Sequence, residues 1–530
     1  MAIAKTPKTW YYQKMKTEKV LPTKRFKESS PKKRVDIVKK LASIFAVKSE
    51  EWKRFQERKI FRLFHRSAFH VSAYKDFLKK ALIKHADIKT IKDFARVPHV
   101  NKDNYLRNYA WEKLCTPGSL CEQSLVLTST SGSTGNPFYF PRNGLLDTQS
   151  AIYHLMFVKS SKIDSNKSTL VLVCFGMGVW IGGVITYQAF KTISESGYPM
   201  TILTPGVNKR EIYEALKHIG RKYDQIILCG YPPFMKDVVD EAKDHGINWH
   251  HYNVKMIFAA EAFSEKFRDY IIKKTGMKDC YRDTMNIYGS ADLGTMAEET
   301  PLSILIRRLA LKNKALYGDL FSEATRLPTL AQFIPEFINF EYIDNGIYCT
   351  GDNVLPLVRY QIGDNGGVLF FNEVENIFKK HGINLRKEAK KAGIEDTVAE
   401  LPFVYVYERS DLSTKLYGAI IYPEYVKVAL QNLTLEKYIT GKFTMFTKFD
   451  ENQNEFLEIN VELKHGITES EWLEKEVVNS VETTLMEKSA EYKNNAHMMP
   501  GKVVPRIVFW PHEHPTYFQT GIKQKWIKKV

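Results

Sequence analysis

The sequence predicts an α/β protein that has a large N-terminal domain with mainly parallel sheets and a smaller, mobile α+β domain at its C-terminal end. Its length of 530 residues exceeds that of one ordinary domain. Apolar runs alternate with helix-like segments from about residue 55 onward, and the pattern changes beyond residue 410. We therefore expect a basic extension over residues 1–58, a large domain over 59–410 and a small domain over 411–530.

The large domain is predicted from short apolar runs that alternate with helix-like segments. The runs are LVLVCF, TILTP, QIILCG and KMIFAA, and the helical segments lie near 209–220, 233–244 and 264–274. Repeated β-α units of this kind form a parallel sheet with helices on its faces. Ligands bind such sheets at the carboxyl ends of the strands, so we expect the functional site there.

The small domain is predicted from a different pattern. The segments FTMFTKFD and FLEINVELKH alternate apolar and polar residues in the manner of exposed strands, and a helix is predicted at about 470–488. This combination indicates an α+β unit that is separate from the parallel sheet.

The charge of the chain is concentrated at its two ends. The 77 Lys and Arg residues exceed the 60 Asp and Glu residues by 17, an excess that is typical of proteins with a nucleic-acid or anionic-membrane partner. Residues 1–40 hold +10 and residues 521–530 hold +4, so about +3 remains for the whole body of the chain. A nearly balanced body argues against a nucleic-acid-binding face. The role of the basic leader stays open between a docking arm and a solubilising extension.

Cysteine usage and hydropathy favour a cytoplasmic protein. The six cysteines show no CxxC pairing, which argues against a zinc site or a disulfide framework. The first twenty residues lack the apolar segment of a signal peptide. Residues 169–187 carry no charge and are long enough to span a bilayer, but four glycines interrupt them. A buried strand over 170–175, then a turn and a helix, explains them better, and we expect no membrane span.

The segment LVLTSTSGSTGNPFYFPR, residues 125–142, carries the first chemical signal. An apolar strand runs into a loop rich in hydroxyl groups and glycine, which supply the donors and the flexible backbone needed to wrap phosphate oxygens. It is not a Walker loop, because no Gly-Lys-Ser/Thr follows. On its own the segment leaves a plain Ser/Thr/Gly loop equally open.

Three further segments decide between these alternatives. The segment MNIYGSADLGTMAEE (285–299) resembles the Tyr-Gly-x-Thr-Glu motif of adenylate-forming enzymes. The segment LPLVRYQIGD (355–364) resembles the Tyr-x-x-Gly-Asp motif of the same enzymes. The segment YERSDLSTKLYG (407–418) resembles their Arg-x-Asp hinge. With the hydroxyl-rich loop, the four motifs follow the order of the acyl-CoA synthetase superfamily. LPLVRY, GYPPF at 230–234 and ARVPHVNKDNY at 95–105 resemble its phenylacetate-CoA ligase branch. The resemblance covers about residues 60–525.

The resemblance implies that the chain activates a small-molecule carboxylic acid. ATP and Mg²⁺ would convert the acid to an acyl-adenylate with release of pyrophosphate, and the acyl group would pass to a thiol, that of coenzyme A. A carrier protein, a protein side chain or an amine is the alternative acceptor. The alternative from another class is a non-catalytic, basic nucleic-acid-binding protein on an adenylation fold.

The same resemblance assigns the nucleotide site. The loop residues would hold the β- and γ-phosphates: Thr130, Ser131, Gly132, Ser133, Thr134 and Gly135. Asp292 stands where the family has Glu and would coordinate Mg²⁺, while Asp364 would accept hydrogen bonds from the ribose hydroxyls. Tyr288, Gly289 and Ser290 would lie by the adenine and the α-phosphate, and Glu261 near the nucleotide.

Two further assignments concern the C-terminal domain. Arg409 and Asp411 resemble the hinge pair, with Asp411 as the pivot, although a solvated Arg-Asp pair is an open alternative. Lys525 and Lys523 both fit the position of the adenylating lysine, because Ile522 breaks the usual Gly-Lys spacing. The common lysine of the phosphate loop is absent, and residues 372–393 are predicted to be an inserted helical hairpin.

The acid-binding pocket is predicted from residues that follow two strands. Phe175, Gly176 and Trp180 come after one strand end and Tyr231 after another, so both groups are expected to face the crevice. Their aromatic character favours an aryl or fatty acyl group. Aromatic side chains at such positions are also often plain core, so the identity of the acid stays open.

Overall fold

The described part of the chain contains eighteen α-helices and eighteen strands. This computed structural model describes residues 36–130, 137–178, 181–322, 328–344, 346–409, 413–432, 434–515 and 517–518, without the side chains of Glu408 and Arg409. The helices are α1 (Ile37–Phe45), α2 (Ser49–His70), α3 (Ser72–Lys80), α4 (Ile91–Phe94), α5 (Trp111–Leu114), α6 (Ser119–Glu122), α7 (Gly144–Ser160), α8 (Ile181–Ser194), α9 (Lys209–His218), α10 (Pro232–Glu241), α11 (Glu265–Thr275), α12 (Pro301–Lys312), α13 (Lys314–Leu320), α14 (Phe371–Lys380), α15 (Leu385–Lys391), α16 (Pro423–Leu430), α17 (Glu471–Lys488) and α18 (Ala490–Met498).

The strands are β1 (Val126–Ser129), β2 (Tyr139–Arg142), β3 (Thr169–Cys174), β4 (Met200–Leu203), β5 (Gln225–Gly230), β6 (Val254–Ala259), β7 (Thr284–Ser290), β8 (Gly294–Glu298), β9 (Thr329–Gln332), β10 (Ile338–Ile343), β11 (Gly346–Gly351), β12 (Leu357–Leu369), β13 (Phe403–Arg409), β14 (Thr414–Leu416), β15 (Ala419–Ile421), β16 (Ile439–Phe449), β17 (Glu455–Leu463) and β18 (Arg506–Trp510). Short 3-10 turns lie at His85–Asp87, Leu106–Asn108, Gly220–Lys222, Trp249–His251 and Glu395–Thr397.

Eleven strands form one sheet in the order β10-β11-β12-β13-β9-β8-β7-β6-β5-β3-β4. Strands β4, β3, β5, β6 and β7 are parallel, and helices α8 to α11 connect them as the sequence predicts. The apolar runs are continuous because every residue of β3 and β5 is buried, as expected of strands covered on both faces. The predicted α/β class is confirmed, and the carboxyl ends of five neighbouring parallel strands meet at one edge.

The other half of the sheet is antiparallel. Antiparallel pairs join β7 to β8, β8 to β9 and β9 to β13, and β10, β11, β12 and β13 to one another in that order. The longest strand, β12, holds the end of the LPLVRY motif and Asp364 in one continuous element. Helices α14 and α15 form the inserted hairpin that was predicted between β12 and β13.

Arg359 of the LPLVRY motif anchors an N-terminal segment to this sheet. Its Nη1 donates to the carbonyls of Ala95 at 2.9 Å and of Val97, and its Nε approaches Glu341 at 3.2 Å. Directly beyond, the Val100 amide donates to the Arg359 carbonyl at 3.1 Å. The segment that begins at Phe94 is therefore held against β12.

The C-terminal region contains the predicted strands and helix. Strands β16, β17 and β18 form a three-stranded sheet, β14 and β15 form a ribbon, and α17 covers the predicted helix. Contacts join this region to α10: Lys502 Nζ lies 2.9 Å from Asp237 Oδ1, and the Tyr417 hydroxyl donates to Asp237 Oδ2 at 3.2 Å. The described residues from Asp36 onward belong to one compact unit, and the boundary at residue 411 stays a prediction.

The described residues of the uncharged stretch over 169–187 include β3 and the beginning of α8, the strand and helix that the sequence predicts there. Within the described ranges, no helix combines the length and the apolarity that crossing a bilayer requires.

Candidate active site

A cavity of about 320 Å³ lies at the carboxyl ends of the parallel strands and extends to β12 and the C-terminal region. Ten sequence-predicted residues line it: Thr130, Phe175, Gly176, Tyr231, Glu261, Tyr288, Gly289, Ser290, Asp292 and Asp364. They come from segments far apart in the chain, so the fold itself brings them together. Seven other predicted site residues lie outside the described residues: Ser131, Gly132, Ser133, Thr134, Gly135, Trp180 and Asp411. The Arg409 side chain also lies outside them. Lys523 and Lys525 lie outside them too.

Tyr288 and Asp364 join the two halves of the sheet across this cavity. The Tyr288 hydroxyl donates to Asp364 Oδ2 at 2.6 Å, and the Tyr288 ring stacks on Phe340 with centroids 6.1 Å apart. Gly363 adopts a φ of 92° directly before Asp364, a conformation that glycine reaches without steric cost. The backbone of Asp364 pairs with that of Arg409 in β13. This arrangement orients the carboxylate of Asp364 toward the cavity.

Asp292 lies in the turn between β7 and β8. Its side chain is buried among the cavity walls, and its Oδ2 accepts a hydrogen bond from the Tyr360 hydroxyl at 2.8 Å. The Thr128 hydroxyl donates to the neighbouring Ala291 carbonyl at 3.1 Å, which holds β1 and the start of the hydroxyl-rich loop beside this turn. Asp292 and Thr130 therefore line the same region of the cavity.

The residues fit Mg²⁺ that is bound together with phosphate oxygens, and they do not form an all-protein metal site. In the described residues no three His, Cys, Asp or Glu side chains converge as metal ligands. Mg²⁺ is commonly held by one or two carboxylates plus substrate phosphates and water. Asp292 has the appropriate chemistry, because one of its carboxylate oxygens is committed to Tyr360 and the other is not.

Gly289 is required by a close approach of two strands. A Cβ atom at this position would lie 2.8 Å from the Gly294 carbonyl oxygen, a distance that backbone atoms cannot relieve by a side-chain movement. Only a glycine at position 289, which has no side chain, therefore allows β7 to run this close to β8 at the edge of the cavity.

The C-terminal region closes the cavity at the end of β6. The Gly418 amide donates to Glu261 Oε1, and Lys415 Nζ donates to the Ala260 carbonyl at 2.5 Å. Ala260 itself has a φ of 75°, a strained conformation for a residue with a Cβ. The predicted Glu261 thus contacts the C-terminal region in this structure, and its backbone carbonyl accepts from Asn286 at 2.9 Å.

Phe175 and Tyr231 form an aromatic corner at the ends of β3 and β5. Their rings meet edge to face with centroids 5.1 Å apart, and Phe175 is fully buried. Burial raises the pKa of Tyr231, so its hydroxyl stays protonated at neutral pH. Both residues line the cavity as the sequence predicts, and Phe175 is also part of the core.

The sequence interpretation missed many of the cavity residues, among them Lys102, Arg107, His154 and Lys415. Lys102 and Arg107 follow the segment anchored by Arg359, and Lys102 forms no ion pair with a described residue. Lys102 belongs to the quoted ARVPHVNKDNY segment, which offered a signal for its role. His154 lies within a helix that is buried on most sides, so no periodicity distinguishes it from core.

Arg142 does not replace the missing loop lysine in this structure. Its side chain is fully buried, and its Nε pairs with Asp147 Oδ1 at 2.8 Å. It is not among the cavity-lining residues.

Comparison with solved structures identifies the fold. The chain aligns with 2-hydroxyisobutyryl-CoA ligase in complex with 2-HIB-AMP and CoA in the thioesterification state, with a TM-score of 0.60, 16% identity, and 91% of this chain and 90% of that chain covered. The same ligase in the postadenylation state, in complex with R3-HIB-AMP, aligns with a TM-score of 0.51 and 15% identity over 92% and 90% of the chains. An open conformation with 2-HIB-AMP and CoA aligns with a TM-score of 0.50 and 16% identity over 90% and 91%.

By sequence, no protein-family model and no curated protein matches the chain. The structural likeness nevertheless extends over nine-tenths of both chains, so it covers the large and the C-terminal regions together. The chain therefore has the fold of the adenylate-forming superfamily, as the four motifs predict. The phenylacetate-CoA ligase branch stays a prediction.

Proposed function

We propose that this protein activates a carboxylic acid with ATP and transfers the acyl group to a thiol, that of coenzyme A. The observation that carries the proposal is the convergence of Thr130, Tyr288, Asp292 and Asp364 on one cavity of an adenylate-forming fold. Each of these residues supplies a group that the reaction needs, and they arise from three separate motifs.

Asp364 is suited to hold the ribose. A carboxylate offers about four lone-pair sites, so this side chain can accept from the Tyr288 hydroxyl and from ribose hydroxyls at the same time. The stacked pair of Tyr288 and Phe340 offers an aromatic wall for the adenine ring. The nucleotide would then enter at the junction of β7 and β12.

The polyphosphate requires positive charge and hydrogen-bond donors. Asp292 would hold Mg²⁺ together with the phosphates, and the bound metal would offset their negative charge. Lys102 and Arg107 add two cations to the cavity wall, which supports a role in place of the absent loop lysine. The donors of residues 131–135 complete this part of the proposal from the sequence.

The reaction proceeds in two balanced steps. A carboxylate oxygen of the acid forms a bond to the α-phosphorus while the bond to pyrophosphate breaks. The thiol sulfur then forms a bond to the acyl carbon, AMP leaves with the electron pair of the C–O bond, and the thiol proton passes to water. Lys525 or Lys523 would stabilise the charge that develops in the first step.

Acid-dependent exchange of labelled pyrophosphate into ATP tests the first step. We expect exchange with at least one aryl or fatty acid. Asp364→Ala should lower the exchange rate by about 100-fold, because ATP that is no longer held at its ribose presents the α-phosphate to the acid in the wrong position. Asp244→Ala is the matched control, since Asp244 is exposed and lies outside the cavity. Exchange that is unaffected by Asp364→Ala would overturn the proposed site.

The acceptor is tested separately. The enzyme with acid and ATP is given coenzyme A, an acyl carrier protein or an amine, and the product is identified by mass spectrometry. An acyl-CoA product supports the proposal. Acyl transfer to the other acceptors alone would retain adenylation and reject coenzyme A as the acceptor. Nucleic-acid binding without any exchange would favour the non-catalytic alternative.

A further inference from the structure

The positive charge within the body of the chain is concentrated near its N-terminal end. Residues 41–113 hold 17 Lys and Arg against 8 Asp and Glu, a net charge of +9, which leaves −6 for residues 114–520 of a body that totals +3. The near balance of the body therefore conceals a basic region, and this region contains α2 and α3. The proposed function uses only Lys102 and Arg107 of its charges.

The exposed face of α2 carries a row of arginines. Arg54, Arg58 and Arg62 are exposed and follow one another at four-residue spacing, so they lie along one side of the helix. Among the described residues, no acidic side chain forms an ion pair with any of the three. Phe69 lies two turns beyond Arg62 on the same side, and its ring is 65% exposed. The row thus presents cationic groups and an aromatic ring to the surroundings.

The turn that follows α3 lies beside this row. The ring of His65 in α2 meets the ring of His85 with centroids 5.9 Å apart. His65 stands between Arg62 and Phe69 along α2, so the turn approaches the helix next to both of them. The side chain of Leu82, three residues before His85, is 91% exposed. An apolar tip therefore stands beside the arginine row.

Leu82 occupies a position that suits glycine. It directly follows the C-cap of α3 with a φ of 58°, a left-handed conformation that is strained for a residue with a Cβ. The same position is Gly382 after α14 and Gly393 after α15, and after α7 it is the exposed Lys162. Neither the backbone nor burial accounts for a leucine at this point of the chain. A residue that the local fold does not favour directs attention to a contact outside the chain.

Lysines surround this leucine. Lys79 and Lys84 are exposed on either side of Leu82, and within the described ranges no acidic side chain pairs with either of them. At the surface of an anionic membrane, Lys and Arg side chains bind the lipid headgroups while Leu and Phe side chains enter the boundary of the acyl chains. The mixture of cations and single apolar tips in this region fits that environment.

Other anionic partners fit the same surface less well. A nucleic acid would attract the arginines and could stack on Phe69, but an aliphatic tip such as Leu82 gives a base no ring to stack on. A protein interface is built around a packed apolar core, whereas Leu82 and Phe69 stand as single side chains among cations. A lipid bilayer accepts single apolar side chains without a complementary pocket.

We infer that the surface formed by Arg54, Arg58, Arg62, Phe69 and Leu82 binds the anionic face of a lipid bilayer. Leu82 and Phe69 enter the interface, and the arginines bind the headgroups. This inference goes beyond the proposed function and does not depend on it, because lipid binding is measured without acid, ATP or coenzyme A.

Vesicle flotation of the full chain tests this inference. Vesicles made of equal parts of phosphatidylcholine and phosphatidylglycerol are compared with vesicles of phosphatidylcholine alone. Binding of labelled single-stranded RNA and of labelled polyglutamate is measured in parallel by fluorescence anisotropy. We expect the protein to bind the anionic vesicles about tenfold or more tightly than the neutral ones, and raised salt to weaken this binding.

Substitutions separate the apolar from the cationic contribution. Leu82→Gly supplies the residue that the turn favours, so the fold is kept, and binding to the anionic vesicles should weaken about tenfold because an apolar side chain no longer enters the interface. Arg62→Glu should weaken it about tenfold or more. Leu311→Ser is the matched control, because Leu311 is an exposed leucine on α12, outside this surface, and binding should stay within about twofold of that of the unaltered protein.

Three results would overturn the inference. The first is binding to the anionic vesicles that is absent or no tighter than binding to the neutral ones. The second is unchanged vesicle binding in Leu82→Gly or in Arg62→Glu, which would assign the binding to another part of the chain. The third is tighter binding of RNA or polyglutamate than of the vesicles, which would identify a polymeric anion as the partner. Absence of pyrophosphate exchange with every acid would reject the proposed function alone and would leave the lipid-binding surface in place.

Discussion

The Tyr288 hydroxyl donates to Asp364 Oδ2 at 2.6 Å and so connects the parallel and the antiparallel halves of the large sheet across the candidate active site. Tyr288 lies near the end of the last parallel strand, and Asp364 lies 76 residues further along the chain in β12. The two residues belong to different motifs. Their hydrogen bond makes the position of the proposed ribose acceptor depend on the strand that also lines the adenine side.

Removing this hydrogen bond should weaken nucleotide binding. In Tyr288→Phe the Asp364 carboxylate loses a charge-assisted hydrogen bond worth about 1.5–3 kcal/mol. We expect the KM for ATP to rise about tenfold, with a smaller change in the KM for the acid. Steady-state kinetics check this. Tyr187→Phe, on the exposed surface of α8, should have no effect; an equal loss in both variants would contradict the role of the pair.

Asp292 should set the metal requirement. Asp292→Asn keeps the shape of the side chain and its contact with Tyr360 but removes the negative charge that a divalent cation prefers. We expect the Mg²⁺ concentration for half-maximal pyrophosphate exchange to rise about tenfold or more. Tyr360→Phe, which removes only the hydrogen bond to Asp292, should show a smaller rise. An unchanged Mg²⁺ dependence in Asp292→Asn would place the metal elsewhere.

Arg359 should act on stability rather than on chemistry. Its side chain is buried and donates to backbone carbonyls of the segment that begins at Phe94, so Arg359→Ala leaves these carbonyls and Glu341 without their partner. We expect the free energy of unfolding to fall by about 3–5 kcal/mol. Urea denaturation measures this. Arg386→Ala breaks the ion pairs of a half-exposed side chain with Glu375 and Glu400 and should cost less than about 1 kcal/mol; similar losses in the two variants would refute the anchoring role.

His154 should make stability depend on pH. Its pKa falls from 6.5 in the unfolded chain to about 4 in the folded one, because burial disfavours the charged ring and no charged side chain contributes to the shift. Between these values the unfolded state binds more protons, so the free energy of unfolding falls as the pH is lowered from 6.5 to 4. The loss is at most about 3 kcal/mol.

The test compares the unaltered protein with His154→Gln, which cannot titrate in this range. Denaturation at pH 7.0, 5.5 and 4.5 should show a difference between the two that shrinks as the pH falls. Carboxylates that titrate in the same range cancel in this comparison. A constant difference at all three values would show that His154 is not neutral and buried as the structure places it.

The predictable part of the site consists of residues whose function depends on short motifs. Tyr288, Asp292 and Asp364 were identified because each stands in a run of residues with a characteristic order, and they line one cavity. Lys415 and His154 were not identified from the sequence, because their positions in the cavity follow from packing. Lys415 reaches the Ala260 carbonyl only after the C-terminal region docks, and His154 is one residue of a long buried helix.

Local structure could be predicted without the fold. Apolar runs of four to six residues with helix-like segments between them specify strands and helices, and the motifs specify which loops carry polar groups. Long-range packing then determined which of these groups share a cavity, how Arg359 holds the segment before Lys102 against β12, and that one nitrogen of His154 has no partner. Hydrogen-bond partners and burial depend on residues far apart in the chain, so no local pattern records them.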